Sequence, residues 1–139
     1  MIPAVFADTA YYVAEVNPKD SLHALARAFT FGYSGRIVTT EFVLVEVAPF
    51  LLRGQGRKAY IDLIRNLRND PLTTILPASS DYFDRGVELF AARPDKECSL
   101  TDCISFEVMT ELELTDALTA DQHFEQAGFR PLLKPEATS

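Results

Sequence analysis

Cysteine is scarce in this chain: two residues in 139, Cys98 and Cys103, five positions apart. That spacing matches no zinc or redox motif and excludes a disulfide framework, so the sequence predicts two reduced thiols in a cytoplasmic protein. Glycine (6) and proline (8) are few, which excludes collagen-like and disordered chains. Nowhere do about 18 apolar residues run without interruption, so no membrane span is expected. The opening MIPAVFAD has no basic stretch and its apolar run stops at Asp8, which argues against a signal peptide. Basic residues are outnumbered, 13 Lys and Arg against 20 Asp and Glu, for a net charge of -7. A general electrostatic grip on polyanions is therefore not expected, although a divalent cation or a local basic face can supply what net charge does not.

What is present is the composition of one globular domain: 47% hydrophobic and 24% charged residues, with enough chain to bury a core. The domain is expected over residues 1–133, with 134–139 as a frayed tail. Ile2 to Ala7 reads as a buried strand passing straight into a helix. Residues 21–31 have helical periodicity, 36–38 read as a strand, and Thr39-Thr40 offers an N-cap. Helices are predicted over 41–53 and 55–69, the first kinked or ended early by Pro49. A β-rich run at 72–76 follows. Helices are then expected over 79–93 and from Ser99 or Thr101 to about 113. Residues 116–118 read as a strand, 119–127 as a short helix opened by a Thr119/Gln122 capping box, and 130–133 as a last strand. Strands alternating with helices imply a parallel sheet of about five strands covered on both faces.

Among twenty acids, the informative ones sit where a solvated acid would not. Asp8 ends an apolar strand, and open α/β sheets bind ligands outside the carboxyl ends of their strands; a helix-capping role would also explain it. Glu46 is the only charge in FVLVEVAPFLL and shares a helical stripe with Val43, Val47 and Phe50, the face expected to pack inward. A carboxylate there must be paired, metal-bound or protonated. Glu41 lies ~140° around the same helix and cannot serve the same site; the helix dipole explains it. Asp102 stands three residues after Ser99, which resembles a capping box with Asp in place of Glu, and Asp121 lies in the first turn after another strand. Three strand-end or first-turn acids and one helical Glu would converge at one sheet edge. Oxygen ligands of this kind suit Mg²⁺ or Mn²⁺, which can activate water for displacement at phosphorus.

Four segments carry a family resemblance: VFADTA around Asp8, TTEFVLVEV around Glu46, DKECSLTDCISF around Asp102, and LTADQHFEQAGF around Asp121, the four acids being separated by 38, 56 and 19 residues. In order and spacing the chain resembles the PIN domain family, in particular its VapC-like ribonuclease toxins and their stand-alone relatives. The resemblance implies a three-layer α/β/α fold with a five-stranded parallel sheet and Mg²⁺- or Mn²⁺-dependent endoribonuclease activity. It assigns Asp8, Glu46, Asp102 and Asp121 as the acidic cluster and Thr9, Ser99 and Thr119 as polar support. Pro49 departs from the pattern, since relatives continue the helix there.

The expected partners are an RNA substrate, a small antitoxin protein and a second copy of the chain, with no membrane. Residues 53–68 are locally basic, and Arg53, Arg57 and Lys58 offer either an RNA-backbone face or a solvated surface. Phe29, Phe31, Tyr33, Phe50 and Tyr60 are assigned to the core by default, although those left exposed would suit a dimer or antitoxin groove. His123 reads as a structural or substrate-side residue, His23 as exposed, and Asp95 as either a solvated loop acid or support for the cluster. Two rivals differ in kind: a catalytically silent fold acting as a binding module, and a phosphoacceptor receiver domain, which is also small, acidic and five-stranded and is echoed by Lys134-Pro135. A receiver, however, needs adjacent acids after its first strand and an acceptor Asp after its third, and Asp8 is followed by Thr9.

Overall fold

The computed structural model of the protein describes residues 3–94 and 96–134; the expectations for Ile2, Asp95, Pro135 and the end of the tail lie outside the described residues. The chain alternates strands and helices: β1 (Ala4–Ala7), α1 (Thr9–Val16), α2 (His23–Gly32), β2 (Arg36–Thr40), α3 (Glu41–Leu52), α4 (Gly56–Asn69), β3 (Thr73–Leu76), α5 (Ser80–Ala91), α6 (Leu100–Glu111), β4 (Asp116–Leu118), α7 (Gln122–Gln126) and β5 (Arg130–Pro131). The five strands form one all-parallel sheet in the order β3-β2-β1-β4-β5. The α/β architecture expected of the sequence is present.

Phe6 and Ala7 of β1 and Ala117 and Leu118 of β4 are wholly buried. Consecutive buried positions without alternation mark a sheet covered on both faces. From β1 the chain steps outward to β2 and β3, then crosses to the other side of β1 to lay down β4 and β5. The order reverses between β1 and β4, and the crevice at the carboxyl ends of those two strands is where such sheets bind ligands. A receiver domain has the order 2-1-3-4-5, so the sheet excludes that reading.

Helix α6, which carries Asp102, is held close to α5 by a glycine. A Cβ on Gly86 would lie 2.2 Å from Ile104 Cγ1, so any larger residue would push the two helices apart. Three local expectations are corrected. Pro49 does not end α3, which runs on to Leu52. The donor that proline lacks would have bonded the carbonyl of Val45, and both residues are exposed, so water can serve that carbonyl and the helix survives. His23 is half-buried, with Nδ1 2.6 Å from the Ala14 carbonyl oxygen. Phe31 is 96% exposed and Phe50 half exposed, whereas Phe29, Tyr33 and Tyr60 pack against the core as expected. The sulfurs of Cys98 and Cys103 lie 3.8 Å apart as free thiols. Among the described residues no helix is long and apolar enough to cross a membrane.

Candidate metal centre

Each of the four acids arrives from a different element. Asp8 is the residue between β1 and α1, and Glu46 lies in the middle of α3. Asp102 occupies the first turn of α6, and Asp121 is the N-cap of α7 just beyond β4. All four line one cleft of about 580 Å³, together with Thr9, Ser99, Phe50, Asp20, Glu97 and His123. Asp8 and Asp102 are buried, and Glu46 and Asp121 stand at the rim. Glu46 is thus less enclosed than its helical stripe suggested. Val43 and Val47 turn fully into the core while Phe50 opens onto the cleft, because the inward stripe of α3 ends where the crevice begins.

The carboxylates share one pattern of hydrogen bonding. Thr119 Oγ1 donates to Asp8 Oδ2 at 2.9 Å, and Thr9 Oγ1 donates to Glu46 Oε1 at 2.7 Å. The backbone N–H of Ser99 donates to Asp102 Oδ2 at 3.3 Å, and that of His123 to Asp121 Oδ1 at 2.9 Å. In each case one oxygen is fixed by a protein donor, and no hydrogen bond among the described residues engages the other. At Asp8 this is acute: Oδ1 is buried from solvent without a partner among the described residues. A buried, unpaired carboxylate oxygen is costly unless a cation or a proton meets it. Thr119 also ties two of the acids together, since its Oγ1 accepts from the Asp121 N–H at 3.0 Å while it donates to Asp8.

The same crowding shows in acidity. Burial pushes the Asp8 carboxyl up to about 7, helped by the nearby charges of Asp102 and Glu46 and opposed by the adjacent Thr9 backbone N–H and the hydrogen bond from Thr119. Burial likewise raises Asp102 to about 6, with Asp121 and Glu46 adding to the rise. Asp8 and Asp102 are therefore both raised by other acids of the cluster as well as by burial, as expected of a site that favours positive charge. The donor set of carboxylate oxygens, with the free Asp8 Oδ1 at its floor, fits a hard divalent ion such as Mg²⁺ or Mn²⁺.

Every residue assigned to the cluster or its support lines this cleft or bonds to a residue that does. Glu41 does not: its Oε1 accepts the Ala78 N–H at 2.7 Å and it borders a separate groove between α3 and α4. The Thr119/Gln122 capping box is corrected, because Asp121 is the cap and Thr119 is turned toward Asp8. The Ser99/Asp102 capping box is present with both of its bonds. Three cleft residues were not picked out as site residues: Asp20, Glu97 and His123. Glu97 stands two residues before a cap already singled out, and His123 two after a proposed ligand; Asp20, a loop acid, carried no signal. Asp102, Asp121 and His123 each offer a ligand atom within 4.8 Å of the others.

No curated protein matches the sequence. Among solved structures, the Mycobacterium tuberculosis toxin VapC20, described as cleaving the sarcin-ricin loop, is similar at 25% identity with a TM-score of 0.83, over 90% of this chain and 95% of that one. FitAcB from Neisseria gonorrhoeae shares the fold at 16% identity with a TM-score of 0.65, over 96% of this chain and 99% of that one. The PIN domain family model matches residues 5–130, from inside β1 to the start of β5, and so spans all four acids. The chain therefore belongs to the PIN domain family.

Proposed function

We propose that this protein is a Mg²⁺- or Mn²⁺-dependent endoribonuclease that hydrolyses RNA phosphodiester bonds in the cytoplasm as the toxin of a toxin–antitoxin pair. Residues 1–133 would form the nuclease domain, with 134–139 as a tail. One observation carries the reading: four carboxylates from four elements converge at the β1/β4 crevice, each with one oxygen fixed and the other free among the described residues, and the free oxygen of Asp8 is buried without a partner there. The similarity to a toxin described as cleaving the sarcin-ricin loop supports RNA as the substrate.

Asp8, Asp102, Asp121 and Glu46 would hold the cation, which when bound supplies acidification of water and neutralisation of charge at phosphorus. The residues of this chain fix geometry. Thr119 holds the Asp8 carboxylate, Thr9 orients Glu46, and Ser99 pins Asp102 through the α6 cap. Burial of Asp8 and Asp102 keeps water from competing for the free oxygens and strengthens their attraction for a cation. Seven residues, about two helical turns, separate Glu46 from Arg53, so Arg53 lies on nearly the same face of α3 and is the best placed of the basic residues to meet an RNA phosphate beyond the cleft. Arg57 is exposed at the start of α4, while Lys58 is committed to Asp62 at 2.7 Å and contributes less.

The test is a cleavage assay on a panel of structured RNAs. Cleavage is expected with Mg²⁺ or Mn²⁺ and should stop with chelator. Asp8→Asn and Asp102→Asn should each lower the rate at least ~100-fold, as when a metal ligand is disturbed. Glu41→Gln should stay near wild type. A protein that binds RNA but never cleaves it, with or without metal, would make the fold a binding module instead.

A further inference from the structure

One imidazole, that of His123, lines the cleft among its carboxylates. His123 Nδ1 lies 2.8 Å from Asp121 Oδ1, yet it makes no hydrogen bond among the described residues and is closed off from solvent. The short approach is therefore not a hydrogen bond of the right direction. If the ring proton sits on Nδ1, it is not aimed at the oxygen beside it. If the proton sits on Nε2, two lone pairs face each other at 2.8 Å, which is repulsive. Either way no group among the described residues uses Nδ1. Atoms about 3 Å apart are what neighbouring ligands on a six-coordinate ion with bonds of about 2.1 Å present, and Asp102 completes a group of three ligand atoms within 4.8 Å of one another. The position of the ring is not accidental: the Asp121 cap, through the His123 N–H, fixes the first residues of α7, and buried Phe124 anchors the next.

We propose that His123 is a ligand of the metal centre and sets its ion preference, drawing the site from Mg²⁺ toward first-row transition ions such as Mn²⁺. This rests on the metal-dependent reading above. The physical reason is that Mg²⁺ is a hard ion that binds through oxygen and gives up its water reluctantly, whereas affinity for a site with nitrogen among its donors rises along the first-row divalent ions from Mn²⁺ onward. Four carboxylates alone would favour neither strongly. One nitrogen from His123 gives transition ions a bond that Mg²⁺ gains little from.

Electron-spin-echo spectroscopy of the Mn²⁺-loaded protein reads the bond directly, without reference to activity. A nitrogen modulation is expected in wild type, and it should change when histidine is supplied as ¹⁵N. The chain has only two histidines, and His23 lies away from the cleft, held to Ala14. The modulation should vanish in His123→Gln and in His123→Phe, of which the second keeps a ring and checks that α7 stays packed by its thermal melt. Competition titration should show the Mn²⁺-over-Mg²⁺ preference falling at least about fivefold in both variants, with Mg²⁺ affinity little changed. Mn²⁺ bound without nitrogen modulation, and displaced by Asp102→Asn, would overturn the role of His123 and leave the acid site standing. Mn²⁺ that binds neither wild type nor variant at millimolar concentration would overturn both. Equal loss of Mg²⁺ and Mn²⁺ affinity in the two variants would make His123 a packing residue.

Discussion

Asp8 shows how one side chain can serve the fold and the site at once. Its Oδ2 belongs to the protein, through Thr119, and its Oδ1 belongs to whatever positive charge enters the cleft. A consequence for stability follows from its raised acidity. The folded carboxyl titrates near 7 and the unfolded one near 3.8, so between those values the folded state binds the extra proton. This contribution to the stability of the metal-free protein is thus fully present below about pH 4 and is lost as pH rises through about 7. Asp102, raised to about 6, acts in the same direction. At roughly 1.36 kcal/mol for each pKa unit, the rise of Asp8 from 3.8 to about 7 corresponds to about 4 kcal/mol. Denaturant melts from pH 4 to pH 8 in chelator should show this fall, and Asp8→Asn should flatten it, since an amide keeps an acceptor for Thr119 and never ionises. Excess Mg²⁺ should flatten it in wild type by mass action. A wild-type curve that rises across that range would show that Asp8 is not held in this environment. At this scale the sequence was legible because a charge amid apolar residues is conspicuous. The capping and ligand readings of Asp102 and Asp121 were not alternatives, since a carboxylate has two oxygens and can do both.

At the scale of elements, the β1/β4 crevice is built from first turns and caps, so the helix ends are where function and stability meet. Asp121 caps a helix of only five residues, which cannot persist without its cap and the packing of Phe124. Asp121→Asn keeps an oxygen for the His123 N–H and removes one charge from a crowded cluster. It should leave the metal-free protein as stable as wild type or slightly more so. Asp121→Ala loses the cap and should cost about 0.5 to 2 kcal/mol. Both should shrink the melting-temperature gain that Mg²⁺ gives, and thermal melts with and without Mg²⁺ measure all of these. If both variants gained as much from Mg²⁺ as wild type, Asp121 would be structural only. Sequence periodicity located the helices and strands from α2 onward to within a few positions, and gave α1 its start but no end. It misplaced what depends on the rest of the molecule. Thr119 looks like a cap until β1 brings Asp8 beside it, and Pro49 looks like a break until Val45 is seen to face water. The expected strands 72–76 and 130–133 are longer than β3 and β5, yet their outer residues still bond to the neighbouring strand: the Leu72 carbonyl accepts from the Ile37 N–H at 2.9 Å, and the N–H groups of Leu132 and Leu133 donate to the carbonyls of Ala117 and Thr119 at 2.9 and 3.1 Å.

The whole molecule carries a net charge of -7 and concentrates negative charge in one cleft, while it leaves apolar surface elsewhere. Phe83, Val87 and Phe90 stand exposed along α5 at four- and three-residue spacing, and Val45 and Ile61 are exposed on α3 and α4. Exposed apolar stripes of this kind suit protein partners, in line with a second copy of the chain and a small antitoxin. The acid cleft would attract a basic side chain of such a partner as it attracts a cation. A partner reaching into the cleft must therefore compete with metal. Expressed alone, the protein is expected to slow growth, Asp8→Asn to relieve the effect, and a small protein encoded beside it to relieve it in wild type. The purified pair should sediment as a complex containing two copies of this chain, and the partner should weaken Mn²⁺ binding at least about tenfold in an equilibrium titration, since one positive group displaces another. If the partner relieves growth yet leaves Mn²⁺ affinity unchanged, it blocks RNA from the surface and does not enter the cleft. If the protein is harmless alone and co-purifies with nothing, it is a stand-alone nuclease, and the apolar stripe on α5 is left to the homodimer, which the sedimentation of the protein by itself decides.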